Sequence, residues 1–131
     1  MTKKQDKIDA KNLMNGISEN LEQCVKCGMC KSLCPVFKIL REESLSPRGH
    51  SILLSEKILD KIVYECTLCR ACELKCPLKI KICDGILKSR EALVLQNKGL
   101  KENKEMIDNI RKTGNPFGKN PGKNIDKFYC C

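Results

Sequence analysis

Apolar residues recur along this chain at helical spacing, and no segment shows the alternate-residue pattern of a half-buried strand. Ile8, Leu13, Ile17 and Leu21 stand four to five apart and predict a first helix over Asp6–Gln23. Gly16 weakens that helix by about 1 kcal/mol. Phe37 to Arg41 predicts one further turn. The best helical pattern is LSPRGHSILLSEKILDKI, residues 45–62. Ser46 is a natural N-cap, and Pro47 at the first helical position lacks the amide hydrogen that would go unpaired there. Leu54, Ile58 and Ile62 then repeat at i, i+4 and i+8. A helix over Asp84–Asn97 would turn Ile86, Leu87, Leu93 and Val94 inward, with Gly99 as its stop. A shorter one near Lys101–Lys112 carries Met106, Ile107 and Ile110 and ends at Gly114. From Thr113 the sequence TGNPFGKNPGKNIDK loses apolar periodicity and reads as loop or tail. The pattern predicts an all-α fold.

These apolar positions make a thin core for 131 residues, with no Trp, two Tyr and three Phe. The 11 cysteines are the other candidate for holding the chain together. The N-terminal MTKKQDKIDAKN lacks the apolar stretch of a secretory signal, so the expected compartment is the reducing cytoplasm, with thiols free for metal. The longest apolar runs, Ile52–Leu54 and Ala92–Leu95, are too short to span a membrane.

Eight of the cysteines spell one pattern twice. The first run is Cys24-x2-Cys27-x2-Cys30-x3-Cys34-Pro35, and the second is Cys66-x2-Cys69-x2-Cys72-x3-Cys76-Pro77, offset by 42 residues. Outside the cysteines and prolines the copies share little: Gly28 follows the second cysteine in one, Arg70 in the other. Three thiolates at i, i+3 and i+6 on a curled chain can reach three irons of a small cube. The fourth, set apart by x3 and a proline, points elsewhere, and in two-cluster proteins of this pattern it ligates the other cluster. The expected sets are Cys24, Cys27, Cys30 and Cys76 for one [4Fe–4S] cluster, and Cys66, Cys69, Cys72 and Cys34 for the other. Such crossing makes metal binding part of folding. The rival is a pair of zinc sites, which usually separate two C-x2-C pairs by a dozen or so residues or add histidine. Here four cysteines crowd into each run, and the single histidine lies in neither.

Charge changes the picture of partners. The formal +9 falls to roughly +5 when two clusters of net charge about −2 each are bound. A basic electron carrier suits an acidic protein partner. A zinc-dependent nucleic-acid module is the competing class, but basic residues interleaved with aromatics are missing. No Ser/His/Asp set, phosphate loop or dinucleotide fingerprint equips the chain as a self-sufficient enzyme.

The remaining candidates each carry a plain reading beside a functional one. Cys83 is a small buried apolar residue or a spare redox thiol. Cys130 and Cys131 are a frayed end, or could bind metal or form a vicinal disulfide. His50 is read as solvated on an exposed helix turn rather than as a proton relay. Arg48 steers cluster electrostatics or pairs with a carboxylate. Lysines from Lys98 to Lys127 form a docking patch or a solvated surface.

The order CVKCGMCKSLCP, then SPRGH opening a helix, then CTLCRACELKCP, resembles the dicluster domain found in the C subunit of heterodisulfide reductase. The same domain begins the iron–sulfur subunits of glycolate oxidase, lactate utilisation and anaerobic glycerol-3-phosphate dehydrogenase. The resemblance covers roughly Gln23 to Gly99, and GNPFG at 114–118 echoes the region after that domain. It implies an α-helical ferredoxin over residues 1–99, with two cubane clusters between short helices and a short helix and tail over 100–131. The same eight cysteines would be the ligands, with the same crossed pairing. It implies a non-catalytic wire between an electron donor, a flavoprotein or ferredoxin, and a catalytic subunit with Cys-Cys-Gly domains. Any membrane association would come through that complex. Fused relatives continue into Cys-Cys-Gly domains, whereas this chain ends at Cys130-Cys131; the expectation is a stand-alone subunit or the N-terminal part of a longer one. The family often has a basic residue at position 50.

Overall fold

The computed structural model describes residues 3–118, and every regular element among them is helical. The chain divides between Lys98 and Gly99 into two compact units. The larger holds α1 (Lys3–Leu21), α2 (Pro35–Leu40), α3 (Pro47–Ser55), α4 (Ala71–Lys75) and α5 (Ile82–Leu95), with 3₁₀ turns at Met29–Leu33, Glu43–Leu45 and Lys61–Glu65.

Helix α1 covers all but the last two residues of the predicted segment and buries Ile17 and Leu21 as expected, but the rest of its inner face is shifted. Ala10, Met14, Ile17 and Leu21 are buried at i, i+4, i+7 and i+11, while Ile8 is 46% exposed. The face is set by packing on α5, where Gly85 lets Leu21 come so near that a Cβ there would lie 3.3 Å from Leu21 Cδ1. Ser18 on the same face is buried, and its hydroxyl donates to the Ser55 carbonyl at 2.8 Å. That satisfies one of the carbonyls left over at the end of α3.

Helix α3 begins as predicted: Ser46 Oγ accepts the Gly49 amide at 2.9 Å, and Pro47 opens the helix. It does not run on to Ile62. Lys57 enters the left-handed region (φ 60°), its amide reaches the Leu54 carbonyl, and the Ile58 amide reaches that of Leu53 at 2.8 Å. This Schellman closure consumes the last carbonyls of the helix. Leu54 stays in the core while Ile58 is 52% exposed. Asp60 then caps the 3₁₀ turn at Lys61–Glu65, which delivers Val63 to the core instead.

Helix α5 ends the same way, with Asn97 (φ 58°) at the left-handed position and the Lys98 amide on the Leu93 carbonyl. Asn97, rather than Gly99, is the stop. Ile86 and Leu93 are buried as expected, but Leu87 and Val94 face out, Val94 with 62% of its surface exposed. Cys83, Ser89 and Ala92 take their place inside. Ser89 is satisfied there by donating to the Gly85 carbonyl at 2.7 Å.

In the smaller unit α6 (Lys101–Thr113) ends at Gly114, which adopts φ 71° and donates to the Ile110 carbonyl. Thr113 is the last residue of the helix rather than the first of a loop. Cys130, Cys131 and the lysines beyond Gly118 lie outside the described residues. Among the described residues no helix is long and apolar enough to cross a membrane.

Candidate metal centres

The two cysteine runs fold alike although their other residues differ. In each, the residue before the second cysteine is left-handed, Lys26 at φ 57° and Leu68 at φ 56°. The residue after it is left-handed too, Gly28 at φ 79° and Arg70 at φ 60°. One helical turn follows (Met29–Leu33; Ala71–Lys75), and the fourth cysteine returns to extended backbone at φ −74° in Cys34 and −72° in Cys76. Alternating left-handed residues turn successive amides toward one side, the concavity that many Fe–S sites use to meet negative charge. The Leu68 amide faces the Cys66 sulfur in this way. The Phe37 amide lies 3.5 Å from the Cys34 sulfur, which caps α2.

Burial repeats with the same order: half-buried, exposed, buried, half-buried for Cys24, Cys27, Cys30, Cys34 and again for Cys66, Cys69, Cys72, Cys76. All nine described cysteines are free thiols. They gather across the runs. Cys24, Cys27, Cys30 and Cys76 line one cavity with Arg48, Ile80 and Ile82. Cys34, Cys66, Cys69 and Cys72 line another with His50, Ile82 and Cys83. Each encloses about 380 Å³ of atom-free space, partly open to solvent, and Ile82 is a wall common to both. Among the described residues no three His, Cys, Asp or Glu side chains converge closely enough to hold one metal ion. Four thiols around each cavity match in number and kind the donors that one [4Fe–4S] cluster takes.

Burial pushes the Cys30 thiol up from its ordinary range, and the neighbouring Cys24, Cys27 and Cys76 push it further. Cys66 and Cys72 rise for the same first reason; Cys83 adds to Cys72, and the Leu68 amide opposes the rise at Cys66. Loading metal on such thiols must displace protons.

Several residues that frame these loops were not legible in the sequence. Glu43 binds Arg48 Nε at 2.7 Å and also Lys31 Nζ, tying the first run to the turn before α3. Arg48 leads, then Lys31, in pulling the Glu43 carboxyl down to about 2. Arg48 thus pairs with a carboxylate, as one reading of it expected, and it also lines the first cavity. Glu73 is buried and accepts the Cys83 amide at 2.9 Å, capping the first turn of α5 where a negative charge meets the helix dipole. Arg90 reaches from α5 to the carbonyls of Val63 (2.9 Å), Tyr64 (3.3 Å) and Cys66, clamping the entry to the second run.

Two readings change in detail. His50 is not solvated: it is 2% exposed, and neither ring nitrogen has a hydrogen-bond partner. Burial, then the Arg90 charge, lowers its pKa to about 4 and keeps the ring neutral near pH 7. It lies one turn before Leu54 on α3, and both side chains are buried. Cys83 is buried as a small apolar residue would be, yet it also shares a hydrogen bond with Cys72.

Two four-thiol cavities on a small helical frame define an iron–sulfur protein of the electron-transfer kind. Residues 20–80 match the family model of the 4Fe–4S dicluster domain. Its cofactors are [4Fe–4S] clusters, two in the family's description. The C subunit of the H(2):CoB-CoM heterodisulfide,ferredoxin reductase of Methanothermobacter thermautotrophicus is 30% identical over 93 residues, 65% of this chain and 47% of that protein. The glycolate oxidase iron-sulfur subunit of Escherichia coli is 32% identical over 69 residues, 47% of this chain and 17% of that one. Lactate utilization protein B of Bacillus cytotoxicus is 31% identical over 80 residues, 55% and 17% respectively. The chain thus spans about half the length of the first relative and a smaller part of the others.

Proposed function

We propose that this chain is an electron-transfer subunit binding two [4Fe–4S] clusters, one on Cys24, Cys27, Cys30 and Cys76, the other on Cys66, Cys69, Cys72 and Cys34. The observation that carries the reading is the crossed grouping of these eight thiols into two cavities sharing Ile82. The bound clusters supply one-electron exchange. The chain's own residues do the rest. Left-handed turns aim amides at the thiolate sulfurs, and Ile80, Ile82 and Val36 present apolar surface to the cavities. Every expected iron ligand is a cysteine, which leaves no protein position open for substrate. The dicluster domain in this reading extends over residues 1–99.

The complex we propose for it is of the heterodisulfide reductase kind, with this chain in the place of the C subunit. Its partners are a catalytic subunit with Cys-Cys-Gly domains and a flavoprotein or ferredoxin donor, and the relative's name supports that choice. The glycolate oxidase and lactate utilization relatives support a second reading, the same domain serving a 2-hydroxy acid oxidoreductase. The test has two arms. Cys34→Ala and Cys66→Ala should perturb the same cluster signal in anaerobic EPR spectra, and Cys76→Ala the other. The holoprotein alone should accept electrons from a low-potential donor yet turn over neither heterodisulfide, glycolate nor lactate. Turnover without a partner, or Cys34→Ala affecting the signal of Cys24, would overturn the reading.

A further inference from the structure

The two cavities are not equivalent. Of the side chains lining the first, only Arg48 carries N–H groups, and it is already paired with Glu43. The second is lined by His50, which is 2% exposed with both ring nitrogens unpartnered. A buried polar nitrogen without a partner costs roughly 1–3 kcal/mol, so a fold that keeps one has usually reserved it for a group to be bound. The ring is held in place from the backbone: the His50 amide bonds the Ser46 carbonyl at 2.9 Å, and Gly49 beside it packs against the Glu43 backbone. The site to which it contributes is acceptor-rich, because thiolate and sulfide sulfurs carry the cluster's negative charge. An imidazole always keeps at least one ring N–H, whichever tautomer or protonation state it adopts.

We propose that His50 donates a ring N–H to sulfur of the cluster held in the second cavity and so raises the reduction potential of that cluster alone. This rests on the two-cluster reading above. The donor stabilises the extra negative charge of the reduced state more than the oxidised one, and hydrogen bonds to sulfur are an established lever on cluster potential. His50 is therefore a positioning residue for the electron, biasing where it rests on a two-cluster path.

The test uses anaerobic holoprotein whose iron and sulfide have first been counted. About four iron per wild-type chain would sink the two-cluster reading and leave this inference without its cluster. With about eight iron, two measurements decide it. His50 is the only histidine, so histidine labelled with heavy nitrogen marks this ring alone. Pulsed EPR of the reduced protein should show a nitrogen coupling at one cluster, the one whose signal Cys66→Ala removes. His50→Leu should shift the one-electron reduction equilibrium of that cluster about tenfold toward the oxidised form, ~59 mV lower, with the other unmoved. His50→Gln, which keeps an N–H, should recover part of the shift. Absence of coupling from the labelled ring at both clusters overturns the proposal, even if His50→Leu fails to hold its clusters. Unchanged midpoints in a fully loaded His50→Leu overturn it equally.

Discussion

Replacing Gly49 by alanine sets helix propensity against tertiary packing. Gly49 lies in the first turn of α3, and by propensity alone the change should stabilise the helix by about 0.5–1 kcal/mol. The structure predicts the opposite. A Cβ at this position would lie 1.9 Å from the Glu43 carbonyl oxygen, 2.8 Å from its carbon and 3.0 Å from Ser44 Cα. All three are backbone atoms, so no rotamer change relieves the overlap. The turn at Glu43–Leu45 would have to retreat by about 1.5 Å to reach ordinary contact. That retreat pulls Glu43 from Arg48 and from Lys31, and strains the Ser46 cap on the Gly49 amide. Overpacking costs about 1–3 kcal/mol, and a lost cap adds about 1 more. Gly16→Ala is the control, since nothing lies within 4 Å of its Cβ in mid-helix α1. It should gain about 0.4–1 kcal/mol. Anaerobic urea unfolding of the holoproteins, followed by circular dichroism with iron counted before each run, reads both signs. A Gly49→Ala protein as stable as wild type at equal iron content would refute the packing argument.

Arg90→Leu should cost about 1–3 kcal/mol, because three carbonyls at the entry to the second run lose their donor. A chelator should then strip roughly half the iron faster than the rest, and Arg90→Lys should restore little, since one ammonium cannot span the set; a fully restored rate would count against the clamp. Glu43 gives a pH dependence whose sign follows from its lowered pKa. Its contribution is complete above the ordinary 4.5 and is lost as pH falls toward about 2. The gap in urea midpoint between wild type and Glu43→Gln should therefore hold steady from neutral pH to about 4.5 and narrow as pH falls below it, and a gap that widens on acidification would contradict the assignment.

What could be read from the sequence was what short segments decide for themselves. Ser46 and Pro47 opened α3 as expected because a cap and a missing amide hydrogen act within one turn. The all-α class followed from apolar spacing, and the family from two cysteine runs whose spacing few other chemistries use. The misses are tertiary. Lys57 and Asn97 take left-handed conformations that a sequence reading reserves for glycine, and they stop α3 and α5 early. The inner face of α5 holds the small residues Gly85, Ser89 and Ala92, of which Gly85 lets Leu21 of α1 approach, and the larger Leu87 and Val94 are left outside. His50 looked like a surface residue because nothing local reports burial of a single polar side chain, and Arg90 carries no local signal of its role because its three carbonyl partners lie 24 to 27 residues away.

The central claim is that one short chain holds two complete clusters. It is tested most directly by counting iron and acid-labile sulfide per chain in folded, anaerobically reconstituted protein, with zinc measured alongside. The account predicts about eight of each, and little zinc. About four iron per folded chain at saturation, or zinc held tightly in place of iron, would contradict it.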